Sequence, residues 1–249
     1  MKYEEEFIKG ADVLISSADS KYQAISQRYN EVKEVLDNIS DEDIRNPFQD
    51  YCKNTYKNYP DNPEQPKPGK SPQKILNDVL RNRFVEKGWD DETPIFYKVD
   101  ENLPEENKEF ENLRMDMSKT PIAMEATFNH GEAIEHNLFK LYLVINNTGI
   151  TKRIKDFKLG VIIAPTDELK LNANMDSVVG SYEKWKKYFR LYEGMNLPPY
   201  VLIGLKSFES FKVMEERAEV PKIESPKTGK LIKDSGKKGM LLKVWTEDL

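Results

Sequence analysis

Cysteine and histidine are scarce in this chain of 249 residues. Cys52 is the single cysteine, which excludes an internal disulfide and is typical of a reducing compartment. Two histidines, His130 and His136, are too few to complete a structural zinc site of the Cys/His type. No apolar run reaches the length of about eighteen residues that spans a membrane, and the acidic segment Met1–Glu6 lacks a signal-peptide core. The sequence therefore predicts a cytoplasmic protein without zinc and without a membrane span.

Positive charge is not in excess either. The chain carries 38 Lys and Arg against 43 Asp and Glu, a net charge of −5, so any nucleic-acid surface has to be local. Lysines concentrate beyond residue 221, and residues 207–249 are predicted to form an irregular lysine-rich arm. Such an arm either contacts phosphates or only keeps the chain in solution, and we favour the first interpretation because little concentrated positive charge exists elsewhere.

Hydrophobic periodicity predicts alternating helices and buried strands, the pattern of an α/β sheet covered on both faces. The helices are predicted over residues 3–39, 72–88, 133–145 and 180–189, and the strands over 95–99, 157–164 and 199–205. The acidic and proline-containing segment 41–47 is predicted to break the first helix. Residues 58–72 contain five prolines and are predicted to form a long surface loop within one domain that spans residues 1–249.

Two acids stand out because apolar residues surround them. Asp116 and Glu125 are nine residues apart, each in a short apolar segment typical of a strand, and Thr120-Pro121 between them predicts a turn. A hairpin of this kind can bring both carboxylates to one point. Carboxylate pairs bind hard divalent cations such as Mg2+, which is the chemistry of phosphodiester hydrolysis. The pattern alone leaves open a hairpin with two unrelated acids.

Several short blocks, taken in order, resemble the BamHI/BglII group of type II restriction endonucleases. The blocks are Glu5-Glu6-Phe7-Ile8, Tyr29-Asn30-Glu31-Val32-Lys33, Met124-Glu125, Phe139-Lys140-Leu141, Met175-Asp176-Ser177-Val178, Tyr182-Glu183, Tyr188-Phe189, Glu193-Gly194 and Tyr200-Val201-Leu202-Ile203-Gly204. The resemblance covers roughly residues 3–35 and 114–206. It implies the PD-(D/E)XK nuclease core, an α/β fold whose central mixed β-sheet is flanked by helices on both faces.

The resemblance also implies a catalytic centre. Asp116 and Glu125 fall on the metal-binding positions of the family, and a backbone carbonyl near Ala126 would complete a site for one or two Mg2+ ions. Thr127 occupies the next catalytic position, where many relatives have lysine and the BamHI and BglII enzymes have glutamate and glutamine. Threonine is no charged base, although its hydroxyl could orient a water, so the group that activates the nucleophile stays open.

Two further side chains are candidates near this centre. Glu86 lies in the helix before the hairpin and matches the stretch that supplies a fourth acid or amide in the group; Asn82, one turn earlier, is the second choice. A solvated acid at the helix end explains Glu86 equally well. Lys119 could contact the scissile phosphate, and a solvated turn lysine is the alternative.

For recognition of DNA, the resemblance points to the loop and helix start after the catalytic strand and to a second, later loop. The candidates are Asn129, His130, Glu132 and His136 in the first segment and Asp176 and Ser177 in the second. Polar side chains of these types can hydrogen-bond to base edges in the major groove. Ser177 stands where the BamHI enzyme has an arginine, which predicts a different target site. Ordinary surface or packing roles are the alternative for both histidines.

The function implied is that of a type II restriction endonuclease. It would hydrolyse double-stranded DNA with Mg2+ at a short palindromic site and leave 5′-phosphate and 3′-hydroxyl ends. A palindromic site needs a two-fold homodimer, for which the apolar helix 133–145 is a candidate, although core packing explains that helix nearly as well. A cognate DNA methyltransferase would share the site without direct contact. The alternatives are another PD-(D/E)XK nuclease for repair or DNA junctions, and an inactive DNA-binding protein of this fold.

Overall fold

The computed structural model describes residues 1–58, 71–95, 113–128, 131–146, 156–219, 223–224, 231–232 and 240–249. In chain order the elements are β1 (Tyr3–Ile8), α1 (Ala11–Ser16), a single 3₁₀ turn (Ser20–Tyr22), α2 (Gln23–Asp37), α3 (Asp41–Asn58), α4 (Gln73–Glu86), β2 (Asp90–Pro94), β3 (Arg114–Lys119), β4 (Ile122–Ala126), α5 (Ala133–Asn146), β5 (Leu159–Pro165), α6 (Asp167–Asn172), α7 (Tyr182–Leu191), β6 (Tyr200–Leu205), β7 (Phe211–Glu219), β8 (Ile223–Glu224), β9 (Leu231–Ile232) and β10 (Met240–Asp248).

Six strands form a central mixed sheet in the order β1-β6-β5-β4-β3-β2. The three middle strands β4, β5 and β6 are parallel, and the outer strands pair antiparallel to their neighbours. Parallel strands place their carboxyl ends at the same edge of a sheet, so Ala126, Pro165 and Leu205 end at one edge. Ligand-binding loops of α/β sheets gather at this kind of edge.

Helices cover both faces of the sheet, because the middle strands are apolar on both sides. Val161 and Ile163 of β5 belong to a core cluster that includes residues of α2, α3 and α4. Ile162 of the same strand belongs to a second cluster, which is built largely by α5 and α7 with Trp185 at its centre. The expected mixed sheet with helices on both faces is therefore confirmed.

Three local expectations are wrong. Residues 3–8 form the edge strand β1, paired antiparallel with β6, because that pairing overrides a weak helical pattern; it ends where Lys9 and Gly10 adopt positive φ angles of 54° and 78°. The helix predicted over residues 3–39 does end before the acidic segment, at Asp37, but that segment begins α3 at Asp41, and acids suit the first turn. Part of the expected irregular arm is regular: β7 and β10 form a two-stranded antiparallel sheet.

Several other predictions are confirmed, and two predicted segments lie largely outside the described residues. The helices α4, α5 and α7 and the strands β5 and β6 occupy the predicted segments within a few residues. Most of the proline-rich loop, residues 59–70, and residues 96–99 of the predicted strand lie outside the described residues. Within the described part of the chain, no helix is long and apolar enough to cross a membrane.

Replacing Gly160 on β5 by alanine is expected to have a large and local effect on the free energy of unfolding. A Cβ atom there would lie 2.7 Å from Cε1 of the fully buried Tyr200 and 3.2 Å from Cδ1 of Ile145, so the Tyr200 ring would have to move within a closed core. Gly160→Ala should therefore lower the free energy of unfolding by about 2 kcal/mol in urea titrations. Gly194→Ala is the matched control, because its Cβ would meet no atom within 4 Å. Equal stability of the two variants would contradict this packing.

Candidate active site

The hairpin of β3 and β4 brings the two predicted acids to the same end of the ladder. Its turn contains the cis Thr120–Pro121 peptide, and the backbone pairs extend from Lys119 and Ile122 to Met117 and Met124. Asp116 and Glu125 are the next residue outward on each strand. They therefore lie at the carboxyl end of β4, on the edge where the loops after the parallel strands also begin.

Regular pairing is interrupted at Asp116. On its other side, Asp91 pairs with Met117 and Thr93 with Met115, and Glu92 between them has a left-handed φ of 46°. Met115 and Met117 also pack into different core clusters, although alternate residues of a regular strand face the same way. The local irregularity frees the Asp116 carboxylate to accept a hydrogen bond from the Ala126 backbone N–H at 2.9 Å.

Glu125 is almost fully buried and meets a buried lysine from α5. The Lys140 ammonium donates to Glu125 Oε2 at 2.6 Å and to the Arg114 carbonyl at 3.0 Å. The second carboxylate oxygen, Glu125 Oε1, is buried without a hydrogen-bond partner among the described residues. One oxygen of this carboxylate is thus anchored and the other is left for a ligand.

Burial and mutual repulsion disfavour the charged forms of both acids. Burial raises the pKa of Glu125 to about 8, and the nearby charge of Asp116 adds to this shift, while Lys140 opposes it. Burial likewise raises the pKa of Asp116, against the effects of Lys140 and the Ala126 N–H; the charge of Glu92 raises it further. A divalent cation would relieve this repulsion and stabilise both charged carboxylates.

The residues present fit such a cation. Carboxylate oxygens are the donors that Mg2+ prefers, and Glu125 Oε1 is a buried oxygen without a partner in the described chain. Among the described residues no group of three or more His, Cys, Asp or Glu side chains could hold a metal, so the pair is the entire acidic set. Further ligands would have to be backbone carbonyls, water or phosphate oxygens, as Mg2+ sites commonly use.

A profile of restriction endonucleases BglII/BglIII matches residues 15–205 of this chain. The chain belongs to the BglII/BglIII restriction endonuclease family. Its members are type II site-specific nucleases that act on DNA and generally use a divalent metal, so the pair of Asp116 and Glu125 is the candidate active site of such an enzyme.

Solved structures agree with the fold. The crystal structure of restriction endonuclease BglII complexed with a DNA 16-mer is 16% identical in sequence, with a TM-score of 0.55, and the match covers 99% of this chain and 100% of that chain. Free BglII is 15% identical with a TM-score of 0.49, over 88% of this chain and 86% of that one. No curated protein sequence matches.

The other predicted catalytic residues of this BglII/BglIII family member take different positions. Thr127 is buried directly after β4, and its N–H donates to the Ile163 carbonyl at 2.7 Å. Glu86 is exposed at the end of α4, where its Oε2 lies 3.5 Å from Arg83 Nη1. The further acid whose charge affects Asp116 is Glu92 on β2.

Lys119 is held by protein groups. Its ammonium lies 2.9 Å from Glu31 Oε2 on α2 and donates to the Lys87 carbonyl at 2.7 Å. Although burial acts to raise the pKa of Glu31, hydrogen bonds from Lys119 and Arg28 hold it below its ordinary value. These contacts favour a structural role for Lys119, joining the hairpin to the helices, over the predicted phosphate contact.

The two predicted DNA-contacting segments touch each other. The Gly131 N–H, at the start of the first segment, donates to the Val178 carbonyl of the second at 2.5 Å. Glu132, His136, Asp176 and Ser177 are all exposed, whereas Asn129 and His130 lie outside the described residues. The first segment follows the carboxyl end of β4, which carries Glu125, and the Gly131–Val178 hydrogen bond places the second segment beside it.

Glu92 and Lys140 are the residues that the sequence patterns do not reveal. Glu92 lies in a polar segment without strand alternation, and its position depends on pairing with β3. Lys140 is a lysine between apolar neighbours in the most apolar helix of the chain, at a position where a helix normally buries leucine. That mismatch is the one signal in the sequence that could have identified it.

Proposed function

We propose that this chain cleaves double-stranded DNA at a short palindromic site with Mg2+ and leaves 5′-phosphate and 3′-hydroxyl ends. The observation that carries the proposal is the pairing of the buried Glu125, which has one unpartnered oxygen, with the partly buried Asp116 in a member of a restriction endonuclease family. Asp116, Glu125 and the Ala126 carbonyl would hold the ion. The ion would lower the pKa of a bound water and neutralise charge that develops on the scissile phosphate.

Other residues of the chain would orient the attacking water and exclude bulk water from the site. Thr127 is buried next to the pair and is our candidate for orienting the attacking water through its hydroxyl. Glu86 was expected as a further acid, but it is exposed and lies beside Arg83; Glu92, whose charge acts on Asp116, is exposed as well, so among the described residues neither joins the pair. The apolar residues around Glu125 would keep bulk water from the carboxylates, which strengthens electrostatic interactions inside the site.

Recognition of bases is assigned to the two touching segments. Asn129, His130, Glu132 and His136 would act from the first, and Asp176 and Ser177 from the second. The hydrogen bond between Gly131 and Val178 supports this, because it makes one continuous surface of the two segments. The BglII structure with a DNA 16-mer supports an interface of this fold with DNA. Carboxylates and amides there would accept from or donate to base edges in the major groove.

A two-fold homodimer would supply the second active site that a palindrome requires. Most apolar residues of α5 are buried within the subunit, but Phe139 is 55% exposed on its outer side and is the candidate contact. We further propose that a cognate DNA methyltransferase protects the same site without binding this protein. The predicted cytoplasmic location and the extent of a single domain over residues 1–249 stay predictions.

Plasmid digestion tests the proposal. Purified protein with Mg2+ should convert plasmid DNA of known sequence into discrete bands, and sequencing of the ends should give one palindromic site with 5′-phosphates. The control is the same protein with Ca2+ or a chelator, which should bind DNA without cutting it. Smeared products or nicking at junctions would instead indicate a repair or structure-specific nuclease. DNA binding without any cleavage in Mg2+ or Mn2+ would indicate an inactive DNA-binding protein.

A further inference from the structure

Lys140 is a buried cation that contacts Glu125 of the carboxylate pair. It lies on α5, and only 7% of it is exposed. Its ammonium bonds Glu125 Oε2 at 2.6 Å and the Arg114 carbonyl at 3.0 Å. The two bonds join both strands of the hairpin, one acceptor on β4 and the other on β3.

Stability alone does not account for a lysine at this position. Removing an ammonium and a carboxylate from water costs several kcal/mol per ion, and well-packed apolar residues are often as stable or more stable in their place. Val144, one turn later on the same side of α5, is a buried apolar side chain. A charged residue that the fold does not require in such a core is a candidate for function.

The strand offers no positive charge of its own. The position two residues after Glu125, where many PD-(D/E)XK relatives have lysine, is the neutral Thr127. Side chains two residues apart on a strand face the same way, so a lysine there would reach the surroundings of Glu125 from β4. Lys140 reaches the same carboxylate from the helix.

We propose that Lys140 supplies from α5 the positive charge that the catalytic strand lacks and acts as the positioning residue of Glu125. It holds Oε2, so that Oε1 points away from the ammonium and stays available for a metal ion or water. It also partly neutralises two carboxylates that repel each other. This inference rests on the proposed function and names the residue that keeps Glu125 in position for a metal ion or water.

The test is Lys140→Met, which keeps the length of the side chain and removes its charge. We expect kcat for DNA cleavage to fall by about 100-fold while KM for DNA changes by less than about threefold, because the residue orients a catalytic group and does not bind DNA. Lys87→Met is the matched control, since Lys87 Nζ also lies 2.6 Å from a glutamate, Glu34, but in an exposed pair away from the site. It should leave both constants unchanged.

A second readout needs no activity. In urea unfolding at pH 8.5, Lys140→Met and Glu125→Gln should be non-additive by about tenfold in the unfolding equilibrium constant, as expected for two groups in contact. Additive effects overturn the inference even if the wild-type protein cleaves DNA. Conversely, a wild-type protein that fails to cleave but shows the coupling disproves the proposed function and leaves the contact standing.

Each outcome of these experiments either supports or overturns the positioning role of Lys140. A kcat within about threefold of wild type, or a loss confined to KM, overturns the positioning role. If Lys140→Met does not fold, Lys140→Arg replaces it, because the inference requires a positive charge at Glu125. A folded Lys140→Arg that keeps at least about a tenth of the wild-type kcat supports the inference, and one that loses cleavage at an unchanged melting temperature overturns it.

Discussion

Asp116→Asn and Glu125→Gln should each lower Mg2+-dependent DNA cleavage by at least about 1000-fold. Each variant keeps the shape of the side chain and removes one of the two negative charges that a bound cation requires, so the pair can no longer neutralise a divalent cation. Single-turnover assays at saturating protein measure the rate. DNA affinity in Ca2+, followed by fluorescence anisotropy, should change far less, because the exposed segments that would contact bases are untouched.

Glu34→Gln is the matched control for these variants. It removes a carboxylate of the same kind from an exposed ion pair with Lys87, which includes neither acid of the site, and should cleave at the wild-type rate. Cleavage within about tenfold of wild type by either site variant would show that the metal is held elsewhere. A matching loss of melting temperature would instead point to misfolding, which the control and circular dichroism distinguish.

The stability of the metal-free protein should fall as pH rises between about 4.5 and about 8. Burial raises the pKa of Glu125 from 4.5 to about 8, so in this range the folded state holds a proton that the unfolded state has released. Stability from this group is therefore complete below the lower value and is lost as pH rises through the upper one, by an amount on the order of 5 kcal/mol. Urea titrations in a chelating buffer measure it.

Glu125→Gln provides the comparison that isolates this effect. Glutamine does not titrate, so the free energy of unfolding of the wild type should fall relative to that of the variant from pH 5 to pH 9. The same linkage predicts that Ca2+ binding at pH 7 releases about one proton, measured by calorimetry in buffers of different ionisation enthalpy. Parallel stability profiles for the two proteins, or binding without proton release, would mean that Glu125 is already charged in the empty site.

The carboxylate pair was predictable because its signal is local. Asp116 and Glu125 each interrupt an apolar run, and a turn lies between them, so neighbours in the sequence reveal the hairpin. The helices α5 and α7 were predictable for the same reason, since their apolar residues recur at helical spacing. Such short-range patterns depend on only a few neighbouring residues, and the folded structure retains them.

The missed features depend on residues far apart in the chain. β1 is a strand only because β6, nearly two hundred residues later, pairs with it. The ribbon of β7 and β10 likewise joins segments on either side of a lysine-rich stretch, and neither segment alone shows the pairing. Lys140 and Glu92 reach the site through packing and an interrupted ladder, which no spacing along the sequence encodes.

The turn at Thr120–Pro121 sets the register of the whole hairpin of β3 and β4. It fixes which residues of β3 and β4 stand across from each other, while Lys119 secures one end of the hairpin to Glu31 and Lys140 secures the other through Glu125. Because side chains alternate along a strand, one residue added to or removed from this turn would rotate Glu125 to the wrong side of the sheet.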